Sequence, residues 1–569
     1  MVVSDFIVRY LIENGITDVF GYPGGMVTYL MDSFRRYSGE ITSHVTYHEQ
    51  AAAFAACGYA QESRKVGVAY ATSGPGATNL LTGICNAFFD SIPVLFITGQ
   101  VNSFELKGDK RIRQRGFQET DIVSMVSGVT KYAVMVDDAK KIKWYLDYAF
   151  SCALGGRKGP VLLDIPMDLL RTEIDVEKLI SFENRGLQNN ALQEEDLKKI
   201  KYSLKHAKRP VILLGNGVKL AGAVGLARDV VNQLAMPVVS TMISFDIILD
   251  EELNYGFIGA YGHRSANFIV AKSDLMIVLG SRMDIRQVGA QRDRFAPSAR
   301  IIRIDIDQGE LAYKVHDNEI PIQANIISVL SGLRDIAQEL DCDYGSWIKV
   351  CKEVRTALGS LDIRTPNLYM KAISRYLPDN AVITTDVGQN QVWVAQSMKV
   401  KKRQKVFFSG GHGAMGYSLP AAVGCALSSR NMVYSFNGDG GIQMNIQELQ
   451  TIAREQLPIK IILFNNHSLG MIRHFQEMYF SGNYFQTIPQ EGYSVPDFGK
   501  IACAYGIKYY LIDSVEKLTE SLFLENGPAF IEINITEDTY VFPKLEYGRP
   551  NQDQEPLLER SLYKYLMEL

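Results

Sequence analysis

The chain has 569 residues, 47% of them hydrophobic and 21% charged, an ordinary composition for a globular protein with large cores. At roughly 150 residues per domain, that length suggests three or four domains. A net charge of −4 argues against nucleic acid as the main partner, and without a run of about 18 apolar residues no membrane span is expected.

The first residues, Met1-Val2-Val3-Ser4-Asp5, lack a basic segment followed by an apolar one, so no secretory signal is expected. A first α/β block runs to about Ile174. Within it, His48-Glu49-Gln50-Ala51-Ala52-Ala53 opens an Ala-rich helix, and Val66–Ala71 and Val94–Thr98 read as buried strands. The block ends after Pro160–Pro166, and the polar stretch from Glu183 to Lys201 reads as a linker. The second block, from about Pro210 to Leu340, carries strands at Pro210–Leu214, Leu275–Leu279 and Ile301–Ile304. A polar region around Asp341 to Pro366 precedes the third block, which has strands near Met432–Phe436 and Ile459–Phe464 and ends near Ile535. The tail from Thr536 is charged, contains proline and is expected to lie over the surface.

Strands alternating with helical stretches imply parallel sheets covered on both faces. The expected fold is α/β, with three doubly wound parallel-sheet domains at residues 1–180, 190–345 and 360–540 and a tail at 541–569. Seven scattered cysteines without a CxxC pair fit a reducing, cytoplasmic setting.

Two distant motifs carry the chemistry. Gly438-Asp439-Gly440-Gly441 follows a strand, where glycines let backbone N–H groups approach phosphate oxygens, and Asp439 offers a hard oxygen suited to Mg²⁺. Asn465-Asn466 ends the next strand. The interval from Asp439 to Asn466, 27 positions (466 − 439), lets both residues meet at the carboxyl edge of one sheet. Taken alone, a Gly-Asp-Gly is as well read as a tight βα turn. The second motif is Glu49. A carboxylate in tight apolar packing can carry or share a proton. Alone, Glu49 reads equally as a helix-start acid favoured by the dipole. Thiamine diphosphate (ThDP) enzymes need both motifs: a metal-pinned diphosphate, and a glutamate that makes the cofactor's aminopyrimidine act as a base.

With Val19–Gly25, Thr72–Asn79, Asp90–Pro93, Ile97–Gln100, Gly116–Glu119, Asp386–Gln389, Gly413–Gly416 and Asn445–Leu449, these motifs resemble the acetohydroxyacid/acetolactate synthase branch of ThDP enzymes, to about residue 540. The resemblance implies a pyrimidine-binding domain first, a central domain second and a diphosphate-binding domain third. It implies active sites between subunits, hence a homodimer or homotetramer. Asp439, Asn466 and the Ser468 carbonyl would hold Mg²⁺. Gln389, Gly413, Gly438, Gly440, Gly441 and Met471 would line the ThDP, and Met415 would prop its bent form. Gln118, Phe117 and the Gly25 backbone would sit near the reacting carbonyl beside Glu49. Met415 reads equally as core, and Gln118 as a satisfied polar residue.

In flavin-containing members the middle domain holds FAD in a structural role, and here Gly215, Gly217, Arg282, Asp284 and Asp305 would contribute. The other reading is an empty nucleotide fold. Arg286 remains where the family meets an acceptor carboxylate. Other positions depart from the amino-acid-biosynthetic members: Phe475 replaces a pocket tryptophan, Ala260 a methionine, Ile243 a lysine, Ile285 an acid and Asn390 a histidine. Trp to Phe and Met to Ala both widen a pocket. Lys107 to Arg115 carries five basic residues in nine, suited either to a phosphorylated acceptor or to solvent alone. The expected activity is Mg²⁺-dependent decarboxylation of a 2-keto acid, pyruvate first, and transfer of its two-carbon acyl unit to a carbonyl acceptor. That acceptor is a second 2-keto acid or, alternatively, a keto-sugar nucleotide. A pyruvate oxidase and a non-catalytic homologue are the remaining readings.

Overall fold

The computed structural model describes residues 1–183, 190–249, 251–340 and 342–569. Three six-stranded sheets organise them, and every strand pair is parallel. The first contains β1 (Asp18–Gly21), β2 (Thr42–Val45), β3 (Gly67–Ala71), β4 (Val94–Gln100), β5 (Tyr132–Met135) and β6 (Val161–Pro166). The second contains β7 (Pro210–Leu214), β8 (Val238–Ser240), β9 (Asn254–Phe257), β10 (Leu275–Leu279), β11 (Arg300–Asp305) and β12 (Ile320–Gln323). The third contains β13 (Val382–Thr385), β14 (Lys405–Phe408), β15 (Val433–Gly438), β16 (Ile459–Asn465), β17 (Lys508–Ile512) and β18 (Ala529–Asn534). Helices cover both faces, which is why inner strands such as β3, β4, β7 and β16 are buried at every position.

The first and third sheets share one strand order, β2-β1-β3-β4-β6-β5 and β14-β13-β15-β16-β18-β17. The second runs β9-β8-β7-β10-β11-β12, the 3-2-1-4-5-6 order of dinucleotide-binding folds. Each order reverses near its middle, between β1 and β3, between β7 and β10, and between β13 and β15, while β6 and β18 return inside the edge strands β5 and β17. Chain connections diverge at these points and leave a crevice at the carboxyl edge.

The chain forms two compact units. One comprises Met1–Leu187, Tyr376–Gln391 and Arg403–Asp538; the other comprises Gln188–Arg375, Val392–Lys402 and Thr539–Leu569. Inside the first unit, helix Glu49–Ser63 packs directly on helix Ser418–Ser429. Small residues make the approach possible: a Cβ on Gly424 would lie 1.9 Å from the Ala55 carbonyl oxygen, and one on Gly58 2.2 Å from that of Ala421. Phe54 meets Tyr417 edge-on, and the Tyr417 hydroxyl donates to Gln61 Oε1. Helix Glu49–Ser63 is apolar nearly all round because it is buried nearly all round. Protonated His44 ties the first sheet to helix Leu449–Glu455, which precedes β16, donating to Asp18 Oδ1 at 2.9 Å and Glu455 Oε2 at 2.7 Å.

Two polar stretches carry more structure than their composition suggests. Residues 184–189 of the first linker lie outside the described residues, and helix Glu194–His206 occupies its far end. The region from Asp341 holds helix Gly345–Leu358, whose Trp347, Cys351, Val354 and Leu358 recur at helical spacing and are buried. The tail is not simply a surface cover. Its Leu558 and Leu566 bury against Phe268, Val354 and Leu358, and helix Arg560–Glu568 ends it. Among the described residues no helix is long and apolar enough to cross a membrane.

Candidate active site

The third sheet gathers one cluster at its reversal point. Asp439 starts a short helix directly after β15, 3% exposed. Its carboxylate accepts from the Ser468 N–H at 3.2 Å and the Tyr493 hydroxyl at 3.2 Å. Burial pushes Asp439 up to about 6, against these hydrogen bonds. Asn466 follows β16 and donates at 3.1 Å to Oε1 of Gln389, which opens helix Gln389–Ser397 after β13. The chain turns sharply between Asn466 and Ser468, with His467 at φ 53°. Gly470 must lack a side chain here, because a Cβ would lie 2.0 Å from Gln389 Oε1 and 2.8 Å from Asn466 Nδ2. The Ser468 carbonyl accepts from the Gly470 N–H. Asp439, Asn466, Ser468 and Gln389 are therefore brought together, as are Gly440 and Met415, whose Cε is 3.4 Å from a Cβ placed on Gly440.

Buried Asp386 anchors the neighbouring turn. It accepts from the Val387 and Gly416 N–H groups, and burial pushes it up to about 7. Gly441 packs against it; a Cβ there would lie 2.9 Å from the carboxylate carbon. Gly413 has open space where its Cβ would be. Met471 is half-buried and Phe475 is 38% exposed, one turn apart on helix Gly470–Tyr479.

The first sheet gathers a second cluster between β1 and β3. The His48 ring nitrogen accepts from the Gln50 N–H and caps the helix that Glu49 begins. Glu49 is 8% exposed. Asn79 donates to Glu49 Oε2 at 2.9 Å, while Oε1 lies 3.2 Å from a Cβ placed on Gly76. The Met26 N–H donates to Thr72 Oγ1, and Gly25 faces open space. Gln118, at φ 64°, packs on Gly74, and Phe117 beside it is 79% exposed. Glu49, Gly25, Gln118 and Phe117 thus belong to one edge. The two clusters sit on different sheets, and among the described residues no hydrogen bond links Glu49 to Asp439, Asn466 or Ser468. Neighbouring residues do meet: Asn445 donates to Gln50 Oε1.

In the second unit, the edge between β7 and β10 brings Gly215 and Gly217 against Gly280. A Cβ on Gly215 would lie 2.2 Å from the Gly280 oxygen. Asp305 ends the adjacent β11. The Arg282 carbonyl accepts from buried Arg303 at 2.7 Å, and Asp284 caps the turn by accepting from the Arg286 N–H. Ala260 donates its N–H to the Arg286 carbonyl at 2.9 Å, so these two pocket candidates are joined, and Ile285 stands 65% exposed beside them. Phe475 belongs to the other unit.

Residues 1–125, 197–333 and 386–533 match three family descriptions: "Thiamine pyrophosphate enzyme, N-terminal TPP binding domain", "central domain" and "C-terminal TPP binding domain". The acetolactate synthase large subunit of Lactococcus lactis is 36% identical over 560 residues, covering 96% of this chain and 94% of that protein. The acetolactate synthase isozyme 2 large subunit of Escherichia coli is 35% identical over 561 residues, covering 97% and 98%. The acetolactate synthase large subunit of Corynebacterium glutamicum is 36% identical over 568 residues, covering 96% of this chain and 89% of that protein. The chain belongs to the acetolactate synthase-like family of thiamine diphosphate enzymes. It is accordingly a ThDP-dependent decarboxylating carboligase.

The third-sheet cluster of this acetolactate synthase-like chain fits a diphosphate. Both amide atoms of Asn390 are buried without a hydrogen-bond partner, and its Nδ2 lies 3.7 Å from a Cβ placed on Gly438. A buried donor at a glycine-lined sheet edge matches the chemistry of a phosphate oxygen. The offered donor set for a cation is hard oxygen: the Asp439 carboxylate, the Asn466 amide and the Ser468 carbonyl. Among the described residues no group of three His, Cys, Asp or Glu is placed to bind a metal. Tyr493 and the Asn79 contact escape sequence reasoning. Tyr493 lies 54 positions beyond Asp439 in an irregular segment, and no periodicity marks it.

Proposed function

We propose that this enzyme decarboxylates pyruvate and transfers the resulting two-carbon acyl unit to a carbonyl acceptor, using ThDP and Mg²⁺. The carrying observation is buried Glu49, held through one carboxylate oxygen by Asn79 at the reversal edge of its sheet. Bound ThDP supplies a carbon nucleophile that adds to keto groups and stabilises the charge left when CO₂ departs. Glu49 would hold the proton shared with the aminopyrimidine, and apolar packing around its helix keeps water from competing. Asp439, Asn466 and the Ser468 carbonyl would fix Mg²⁺. Gln389, Gly413, Gly438, Gly440, Gly441, Asn390 and Met471 would line the diphosphate side, with Met415 beneath the cofactor. Gln118, Phe117 and Gly25 would orient the reacting carbonyl. The separation of the Glu49 and Asp439 clusters onto different sheets supports sites completed by a second subunit, hence at least a homodimer, in the cytoplasm.

FAD in the second unit, in a structural role, is supported by the dinucleotide-type strand order and by the close approach of Gly215, Gly217 and Gly280 at its reversal. Arg282, Asp284 and Asp305 would line it. The acceptor is a second 2-keto acid, its carboxylate met by Arg286. A bulkier acceptor, a keto-sugar nucleotide, is the second reading, favoured by the small Ala260 joined to Arg286 and by Phe475 in place of a larger ring. The test supplies pyruvate alone and measures CO₂ and acetolactate, then adds keto-sugar nucleotides. Addition product in either arm supports the proposal. Acetaldehyde without any addition product contradicts carboligation from pyruvate, and flavin bleaching at the rate of pyruvate turnover contradicts a structural FAD.

A further inference from the structure

The segment from Lys107 to Arg115 holds Lys107, Lys110, Arg111, Arg113 and Arg115 against one acid, Asp109, in a chain whose overall charge is −4. Its base is fixed by Glu119. That carboxylate accepts from the backbone N–H groups of Lys107 at 2.7 Å, Arg115 at 2.9 Å and Gly116 at 3.1 Å. Gln114 donates back to the Glu119 carbonyl, and Arg115 donates to the carbonyls of Phe104 and Leu106. The Glu119 carboxylate is therefore occupied by backbone at the foot of the loop. Lys110, Arg111 and Arg113 are exposed, and among the described residues no ion pair engages them.

Position distinguishes this loop from an ordinary solvated run. It leads without interruption into Phe117 and Gln118. Gln118 packs on Gly74, and Gly76, two residues on, borders Glu49 Oε1. The cations thus lie on the loop that leads directly into this edge of the first sheet, on a base held by six hydrogen bonds. Two guanidinium groups and an ammonium group in one short loop suit a diphosphate ester, which offers several oxygens for charge-assisted, bidentate bonds. A carboxylate acceptor alone would need only one such partner.

We infer that the Lys107–Arg115 loop is a docking site for the diphosphate of a nucleotide-linked acceptor, with Lys110, Arg111 and Arg113 as its contacts. The inference rests on the bulkier-acceptor reading of the same site and gives it a specificity determinant.

The test uses the full-length holoenzyme, saturated with ThDP, Mg²⁺ and FAD so that their own phosphate sites are filled. Uridine diphosphate, uridine and inorganic phosphate are titrated separately by calorimetry. Uridine diphosphate should bind, uridine should not, and affinity should fall as salt rises. The triple variant K110Q/R111Q/R113Q should lose about tenfold or more in uridine diphosphate affinity. The variant R111K/R113K, which keeps charge and loses bidentate geometry, should fall between. K198Q, on a helix of the second unit, should bind like the parent. No uridine diphosphate binding to the parent enzyme would overturn the assignment, as would unchanged affinity in the triple variant or equal affinity for inorganic phosphate. CO₂ release from pyruvate, followed in the same preparations, separates the two readings. Its absence defeats the pyruvate reading while the binding result stands. Its presence without uridine diphosphate binding defeats the loop assignment alone.

Discussion

At the scale of single residues, the site depends on how a few buried polar atoms are held. Asn79 donates the hydrogen bond that aims Glu49, and among the described residues no other hydrogen bond reaches that carboxylate. Asn79→Ala should therefore lower the rate of CO₂ release by about tenfold or more, the worth of a hydrogen bond to a charged group. Steady-state kinetics with pyruvate checks this, and an unchanged kcat would show that Glu49 is aimed by other means. Asp439 and Asn466 can be proposed from the chain alone because each stands among glycines or asparagines at a strand end, and Glu49 because it opens an Ala-rich helix. Asn79 lies within the Thr72–Asn79 motif, but its contact with Glu49 is a matter of rotamer, and the Tyr493 contact with Asp439 is one of loop path. Neither leaves a periodic trace.

At the scale of elements, the buried strands are readable because parallel strands covered on both faces are continuous apolar runs. The edge strands are not. β2, β5, β9, β12 and β17 are short and half exposed, so their patterns blend into the flanking turns. Helix Glu49–Ser63 is legible as an Ala-rich helix, but its pairing with helix Ser418–Ser429 is not, since contact across more than 350 positions has no local signature. Their contact gives a sharp expectation. Gly424→Ala pushes a Cβ to 1.9 Å from the Ala55 oxygen and should destabilise the protein by about 1–3 kcal/mol, since the close-packed helices must separate. Gly225→Ala, in helix Val224–Leu234 with nothing within 4 Å, should be neutral or stabilising by up to about 1 kcal/mol. Urea denaturation of both variants checks the contrast, and equal effects would contradict the packing argument.

At the scale of the whole molecule, one ionisable lock joins the first sheet to helix Leu449–Glu455 within the first unit. Burial opposes a charge on His44, yet hydrogen bonds to Asp18 and Glu455 carry it up to about 9. Because this lies above the ordinary value of about 6.5, its stabilisation is complete below that pH and is lost as pH rises through about 9. The stability difference between the parent and His44→Gln should therefore shrink between pH 6.5 and 9.5, by on the order of 2–3 kcal/mol. A difference that stays constant over this range would contradict the lock. The repetition of one strand order in the first and third sheets could be suspected from similar α/β character, but their union into one compact unit could not. The proposed activity turns on Glu49 acting on the bound cofactor, and hydrogen–deuterium exchange at C2 of enzyme-bound ThDP tests this directly. Glu49→Gln should slow that exchange by roughly 10²-fold or more while the protein still binds the cofactor. Exchange at the parental rate in the variant would contradict it.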